Sequence, residues 1–264
     1  MLTAITPLIL TLNEAPNIER TLQRLSWAKD IVVVDSGSTD CTTEILKRYP
    51  GVRIFRRAFT THAEQWNFGL EQTGIKTEWV LALDADYVIS AELLKELEAL
   101  SPEPDVNGYR AAFTYCIGGK ALRCAVYPPV VVLYRRAGAR YAQDGHTQRI
   151  QISGRVEKLS GVVVHDDRKP LAHWLTAQVR YMRLEARKLA GARAGQLAWA
   201  DRLRRLIILA PPAMFFYCLF VRGGILDGRA GLFYALQRTV AEAILSLYLL
   251  QRILGPGAER ESRG

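Results

Sequence analysis

The chain has 264 residues, 49% hydrophobic and 23% charged, which excludes a collagenous or disordered protein and suffices for one substantial core with an appendage. Its net charge of +9 is uneven: residues 168–264 carry 16 Lys/Arg against 6 Asp/Glu, and residues 1–167 carry 19 against 20. A basic segment mixed with apolar residues suits an anionic surface, either membrane or nucleic acid. Cys41, Cys116, Cys124 and Cys218 lack metal-ligand spacing and read as reduced thiols. Residues 1–7 lack the basic start of a signal peptide, so a cytoplasmic location is expected.

The first hundred residues alternate strand and helix patterns. Leu8-Ile9-Leu10-Thr11-Leu12 reads as a strand ending at Asn13-Glu14. Ile18, Leu22 and Leu25 share a helical face over residues 17–25. Ile31-Val32-Val33-Val34 has the β-branched continuity of a central parallel strand and runs into Asp35-Ser36-Gly37-Ser38-Thr39-Asp40. A short helix over 42–48, a strand over 52–55, a helix over 63–72 and a strand over 79–83 follow. Repeated alternation with short loops predicts a doubly wound, mostly parallel sheet. Strands at 108–115, 130–135 and 161–165 then extend it as a mixed α+β stretch.

The C-terminal part reads differently. Residues 171–189 are helical and carry Arg180, Arg183, Arg187 and Lys188. Residues 206–221 are uncharged but contain Pro211-Pro212, expected to break a helix, and are short of a membrane span. Residues 232–254 are apolar but contain Arg238 and Glu242. A helical hairpin lying in a bilayer interface fits both stretches, with arginines toward anionic headgroups.

Three polar clusters each follow a strand: Asn13-Glu14, Asp35 through Asp40, and Asp84-Ala85-Asp86. In a parallel sheet all three converge on the carboxyl edge, where open α/β sheets bind ligands. Asp84 and Asp86 are hard oxygen ligands suited to a divalent cation that holds a diphosphate. Neither a phosphate-cradling lysine loop nor a dinucleotide-binding glycine motif is present, which disfavours P-loop phosphoryl transfer and dinucleotide redox chemistry.

These ordered motifs, Leu10-Thr11-Leu12-Asn13-Glu14, Val32-Val33-Val34-Asp35-Ser36-Gly37-Ser38-Thr39-Asp40 and Leu83-Asp84-Ala85-Asp86, resemble those of family 2 glycosyltransferases with the GT-A fold. The subgroup they resemble most is that of lipopolysaccharide-core β-glucosyltransferases. Gly223-Gly224-Ile225-Leu226-Asp227-Gly228, followed by Gly231-Leu232-Phe233-Tyr234-Ala235, resembles the C-terminal segment of that subgroup.

The resemblance implies a nucleotide-sugar donor, usually a UDP-sugar, an inverting transfer, and Mn²⁺ or Mg²⁺ as cofactor. It implies a mixed-sheet GT-A catalytic domain over 1–170, with a nucleotide-binding half at 1–100 and an acceptor-side half at 101–170. A helical, membrane-associated extension over 171–254 and a disordered tail over 255–264 complete the expected organisation. Thr11, Glu14 and Asp35 would contact the nucleoside within a pocket that includes Asn13, Ser38 and Asp40. Asp84 would lie near the ribose or sugar, and Asp86 would bind the metal, with His165 as a second ligand. Gln65 and Asn67 would hydrogen-bond the donor. Leu12 departs from the family, where an aromatic residue is common.

An inverting transfer needs a base opposite the leaving group. The related subgroup often carries a His-Glu pair near Asp144-Gly145-His146-Thr147, but Thr147 stands at the Glu position, which leaves Asp144 first and His146 second. No Gln-x-x-Arg-Trp motif of processive synthases occurs. The expected activity is single-sugar transfer to a lipid-linked or lipopolysaccharide-type acceptor at the inner face of the cytoplasmic membrane. A polyprenyl-phosphate glycosyltransferase is the alternative. Nucleic-acid binding is remote, because no RNA-binding aromatic motif accompanies the arginines.

Overall fold

A computed structural model of the chain describes residues 1–145, 147–192 and 199–255. The chain divides into two compact units: residues 1–121, 127–143 and 147–169 in the first, and 122–126, 144–146 and 170–264 in the second. The main boundary falls near residue 170. Strands from residues 1–100 and from 101–170 join one sheet.

In the first unit, β1 (Ile5–Thr11), α1 (Ile18–Arg24), β2 (Ile31–Asp35), α2 (Thr42–Leu46), β3 (Val52–Arg56), α3 (His62–Gln72) and β4 (Trp79–Asp84) alternate as expected. There follow β5 (Tyr87–Ile89), α4 (Ala91–Ala99), β6 (Val106–Ile117), β7 (Lys120–Ala121), β8 (Val130–Arg135), β9 (Arg140–Asp144), β10 (Thr147–Gln151) and β11 (Arg155–His165). The main sheet runs β3-β2-β1-β4-β8-β6-β11-β5, with β7 beside β6 and a separate β9-β10 pair. Strands β3, β2, β1 and β4 are parallel, whereas β8 runs antiparallel to both β4 and β6. This is a mixed α/β sheet, parallel over its first four strands.

Period-two alternation explains the two-faced core. Ile5, Ile9, Ile31, Val33, Leu81 and Leu83 face one side, where they meet Ile18, Leu22, Leu46, Leu93 and Leu97 of helices α1, α2 and α4. Leu8, Val32, Val34, Val80 and Ala82 face the other, against Ala63, Trp66 and Leu70 of α3. Each large aliphatic side chain fully buried this way contributes about 1.5–3 kcal/mol. Thr61 and Ser90 cap α3 and α4 by accepting from the amides of Glu64 and Leu93.

The second unit contains α5 (Leu171–Gly191), α6 (Trp199–Arg204), α7 (Ala210–Phe216), which continues as a π-turn over Tyr217–Val221, and α8 (Gly228–Leu254). Met182, Ala186 and Leu189 of α5 pack on Ala241, Leu245 and Leu249 of α8. Pro211 and Pro212 do not break a helix, as the sequence suggested. They occupy its first turn, where the missing amide costs nothing. Asp227 is buried and accepts from the amides of Arg123 and Cys124 at 2.8 and 3.1 Å. At Gly231 a Cβ would lie 2.0 Å from the Gly224 carbonyl, so the turn closes only on glycine. Among the described residues no helix is long and apolar enough to cross a membrane. The expected tail falls almost wholly outside the described residues.

Candidate active site

Parallel pairing delivers the motifs to one edge. Thr11 lies opposite Asp35, and Leu10 lies opposite Asp84. Antiparallel pairing of β11 with β5 places His165 beside Tyr87, directly after Asp86. Sequence distances of about eighty residues therefore collapse through strand register alone.

The Asp35 carboxylate is fully buried at the centre of the first loop. One oxygen accepts from the amides of Gly37 and Ser38, at 3.0 and 2.9 Å. The other accepts from the hydroxyls of Thr11 and Ser38, at 2.9 and 2.5 Å. Four donors saturate a carboxylate, so Asp35 shapes the loop as it stands. Asn13 is left-handed, with φ 55°; its side chain accepts from the Thr39 amide at 2.8 Å, and its amide donates to Ser38 Oγ at 2.9 Å. Asp40 accepts from the Ala15 amide at 3.1 Å and the Thr42 amide at 3.0 Å. Loops β1–α1 and β2–α2 thus lock onto each other.

The second cluster is strongly charged. Asp86 Oδ2 lies 3.1 Å from His165 Nε2, and both groups are largely buried. Burial pushes each toward its neutral form, but their mutual attraction prevails, so the Asp86 carboxyl sits below its ordinary value and the His165 imidazole above. Burial and then the Asp86 charge raise Asp84 to about 6, opposed by a hydrogen bond from Tyr87. Glu14 is raised to about 7, by burial first and also by Asp86, although Lys169 pulls it down. Lys169 Nζ donates to Glu14 Oε1 at 2.5 Å, and Asn17 donates to Glu14 Oε2 at 2.9 Å.

Several partners were not legible as such in the sequence. Buried Asp166 accepts from Arg20 and Arg168, each at 3.0 Å, and Asp167 accepts from Asn17 at 2.9 Å. This network ties the end of β11 to α1. Around His165 stand Tyr87, Tyr115 and Tyr127, with ring centroids 5.1, 4.7 and 5.2 Å away. The hydroxyls of Tyr87 and Tyr127 share a short hydrogen bond. The available signals were the position of Tyr87 next to Asp86 and the run Asp166-Asp167-Arg168-Lys169 after His165.

Gln65 and Asn67, expected at the donor, have partners inside the protein. Gln65 is fully buried; its amide donates to Ser36 Oγ and the Arg57 carbonyl, and its carbonyl accepts from Arg57. Asn67 closes a two-bond clasp with the Tyr141 backbone, at 2.9 and 2.8 Å. Protein partners thus hold both side-chain amides in place. Asp144 belongs to the second unit, where Lys188 Nζ lies 2.9 Å away on α5. His146 lies outside the described residues.

A divalent cation fits the donor set at Asp86. Asp84 and Asp86 repel each other, which a cation relieves, and His165 Nδ1 is a buried nitrogen without a hydrogen-bond partner. Among the described residues no three His, Cys, Asp or Glu side chains form a complete cage.

The α/β sheet presents a carboxylate-lined carboxyl edge, and the comparisons with known proteins bear on what it does. Residues 8–126 match Glycosyl transferase family 2. The lipopolysaccharide core biosynthesis glycosyltransferase LpsC of Rhizobium meliloti is 27% identical over 92% of this chain and 91% of its own length. An "uncharacterized glycosyltransferase" of Rickettsia bellii is 33% identical over 108 residues, 40% of this chain and only 36% of that protein. The crystal structure of S. aureus TarS 1–349 in complex with UDP-GlcNAc has 16% identity and a TM-score of 0.48, covering 95% of this chain and 92% of that one. Residues 8–126 are thus similar to glycosyl transferase family 2, and the chain as a whole is similar to a lipopolysaccharide-core glycosyltransferase.

Proposed function

We propose that the chain moves one sugar, with inversion, from a nucleotide-sugar, a UDP-sugar above others, to a lipid-linked or lipopolysaccharide-type acceptor at the inner face of the cytoplasmic membrane. The observation that carries this reading is the convergence of the β1, β2 and β4 ends with Asp86–His165 in one buried, charged cluster. The full-length similarity to LpsC supports the acceptor class. In this reading the interlocked Asn13, Ser38 and Asp40 loops, with Thr11 and Asp35 beneath, form the nucleoside floor. Asp84 faces the ribose or sugar, and its Tyr87 hydrogen bond fixes its orientation.

A Mn²⁺ or Mg²⁺ ion held by Asp86 and His165 would act as a Lewis acid on the departing diphosphate. Lys169 adds a buried positive charge whose field reaches Asp86, and Glu14 holds its ammonium in place. Asp144 accepts the proton of the acceptor hydroxyl. A panel of nucleotide-sugars, assayed by nucleotide release with acceptor extract and with Mn²⁺ or excess EDTA, tests this. Undiminished turnover in EDTA would remove the metal from the account.

The Lys188–Asp144 ion pair favours a second reading, because an ammonium partner makes a carboxylate a poorer proton acceptor. A polyprenyl phosphate is already an anionic nucleophile and needs no protein base. Unchanged turnover in Asp144→Asn, with polyprenyl phosphate as the acceptor, would favour that reading.

A further inference from the structure

Apolar exposure is confined almost entirely to one unit. Of the large apolar side chains exposed among the described residues, Val130 alone belongs to the first unit, and the rest lie between residues 171 and 254. One group of them lies on the hairpin formed where α7 and its π-turn reverse into α8. Val221 is 74% exposed, Leu226 70%, Ile225 59%, and Phe216 and Phe220 56% each. The Phe216 and Phe220 rings stack on one another, with centroids 5.9 Å apart.

Meanwhile the carboxylate of the same turn faces inward: Asp227 is buried against the Arg123 and Cys124 amides. Apolar groups outside with a carboxylate inside reverses the usual order for a soluble surface, and contiguous apolar exposure of this kind marks an interaction surface.

The charges around this tip select the occupant. Arg222 and Arg229 flank it and are exposed. Arg229 lies in the first turn of α8, which has no acidic residue, so a cation stands where the helix dipole disfavours one. Asp227, the acid between them, is spent on backbone amides. A second copy docking tip to tip would bring like charges together. An anionic lipid surface would neutralise the arginines and bury the apolar side chains. With α7 and its π-turn only twelve residues long over Ala210–Val221, the hairpin reaches about 18 Å, short of the roughly 30 Å hydrocarbon core.

We propose that the hairpin tip, Phe216, Phe220, Val221, Ile225 and Leu226 flanked by Arg222 and Arg229, inserts into the headgroup–acyl boundary of an anionic membrane. This surface is separate from the donor site, and its occupancy does not depend on which sugar or acceptor the enzyme uses.

Co-sedimentation of the full chain with vesicles of phosphatidylcholine, with and without phosphatidylglycerol, tests the proposal in the absence of substrates. Binding should require the anionic lipid and weaken with salt. Arg229→Ala should lower affinity about fivefold, the equivalent of about 1 kcal/mol per basic residue near an anionic surface. The double variant Val221→Ser/Leu226→Ser should lower it at least about tenfold. Both variants should keep the wild-type melting temperature and UDP affinity, which separates this test from failure of the donor-site reading. Absence of vesicle binding by the wild type, equal binding to neutral vesicles, or a dimer in solution dispersed by the Ser variants would overturn the proposal.

Discussion

Asp84→Asn removes a charge from the candidate site while keeping its shape, and so measures what the carboxylate cluster costs the fold. Burial and the neighbouring Asp86 raise the Asp84 carboxyl from an ordinary 3.8 to about 6. The folded chain thus holds this proton more tightly than the unfolded chain does. Nothing is lost below the unfolded value; the penalty grows as pH rises from 3.8 to about 6 and is complete above that. At about 1.4 kcal/mol per unit the ionised group costs roughly 3 kcal/mol. Asn keeps an acceptor for the Tyr87 hydroxyl and carries no charge. Asp84→Asn should therefore melt several degrees higher than wild type near pH 7.5, at about 2–4 °C per kcal/mol for a chain of this size. The gain should fade to nothing near pH 4. Calorimetric melting across this range, with parallel loss of sugar transfer, checks it. A pH-independent difference, or a variant less stable than wild type at neutral pH, would refute the electrostatic reasoning.

Three further perturbations probe the rest of the site and the C-terminal helical unit. Asp35→Ala leaves the Gly37 and Ser38 amides and two hydroxyls without their acceptor, so the melting temperature should fall and UDP affinity, measured by titration calorimetry, should drop at least about tenfold. Lys169→Met leaves Glu14 buried beside Asp86 without its cation; the variant should lose about 3 kcal/mol near pH 8 in urea unfolding and less near pH 6, where Glu14 can take up a proton. Gly231→Ala places a methyl group against the Gly224 carbonyl and should destabilise the C-terminal helical unit, read by loss of helical circular dichroism on heating.

Much of the first hundred residues was legible because its signals are local. The β-branched run at Ile31–Asp35, the apolar run in Trp79–Asp84 and the spacing of Ile18, Leu22 and Leu25 specify elements without reference to partners. The acidic clusters were visible for the same reason, since each directly follows a strand. Strands β5, β7, β9 and β10 were missed, because runs of two to five residues with mixed polarity carry no period of their own. The contacts of Gln65 and Asn67 with Ser36, Arg57 and Tyr141 were not legible for a related reason: on a helix the sequence shows an amide but not which way it faces. The Glu14–Lys169 and Arg20–Asp166 pairs join residues about 150 apart, a separation that only the sheet order closes.

The central claim is that Asp86, in its cluster with His165 and Asp84, drives transfer from a nucleotide-sugar. The direct measurement compares wild type and Asp86→Ala for nucleotide release from a UDP-sugar panel, with lipopolysaccharide-type acceptor and Mn²⁺ present. The account predicts acceptor-dependent release by the wild type from at least one donor, and loss of that release, by about a hundredfold or more, in a variant that still melts cooperatively. Equal rates in the two proteins would contradict it.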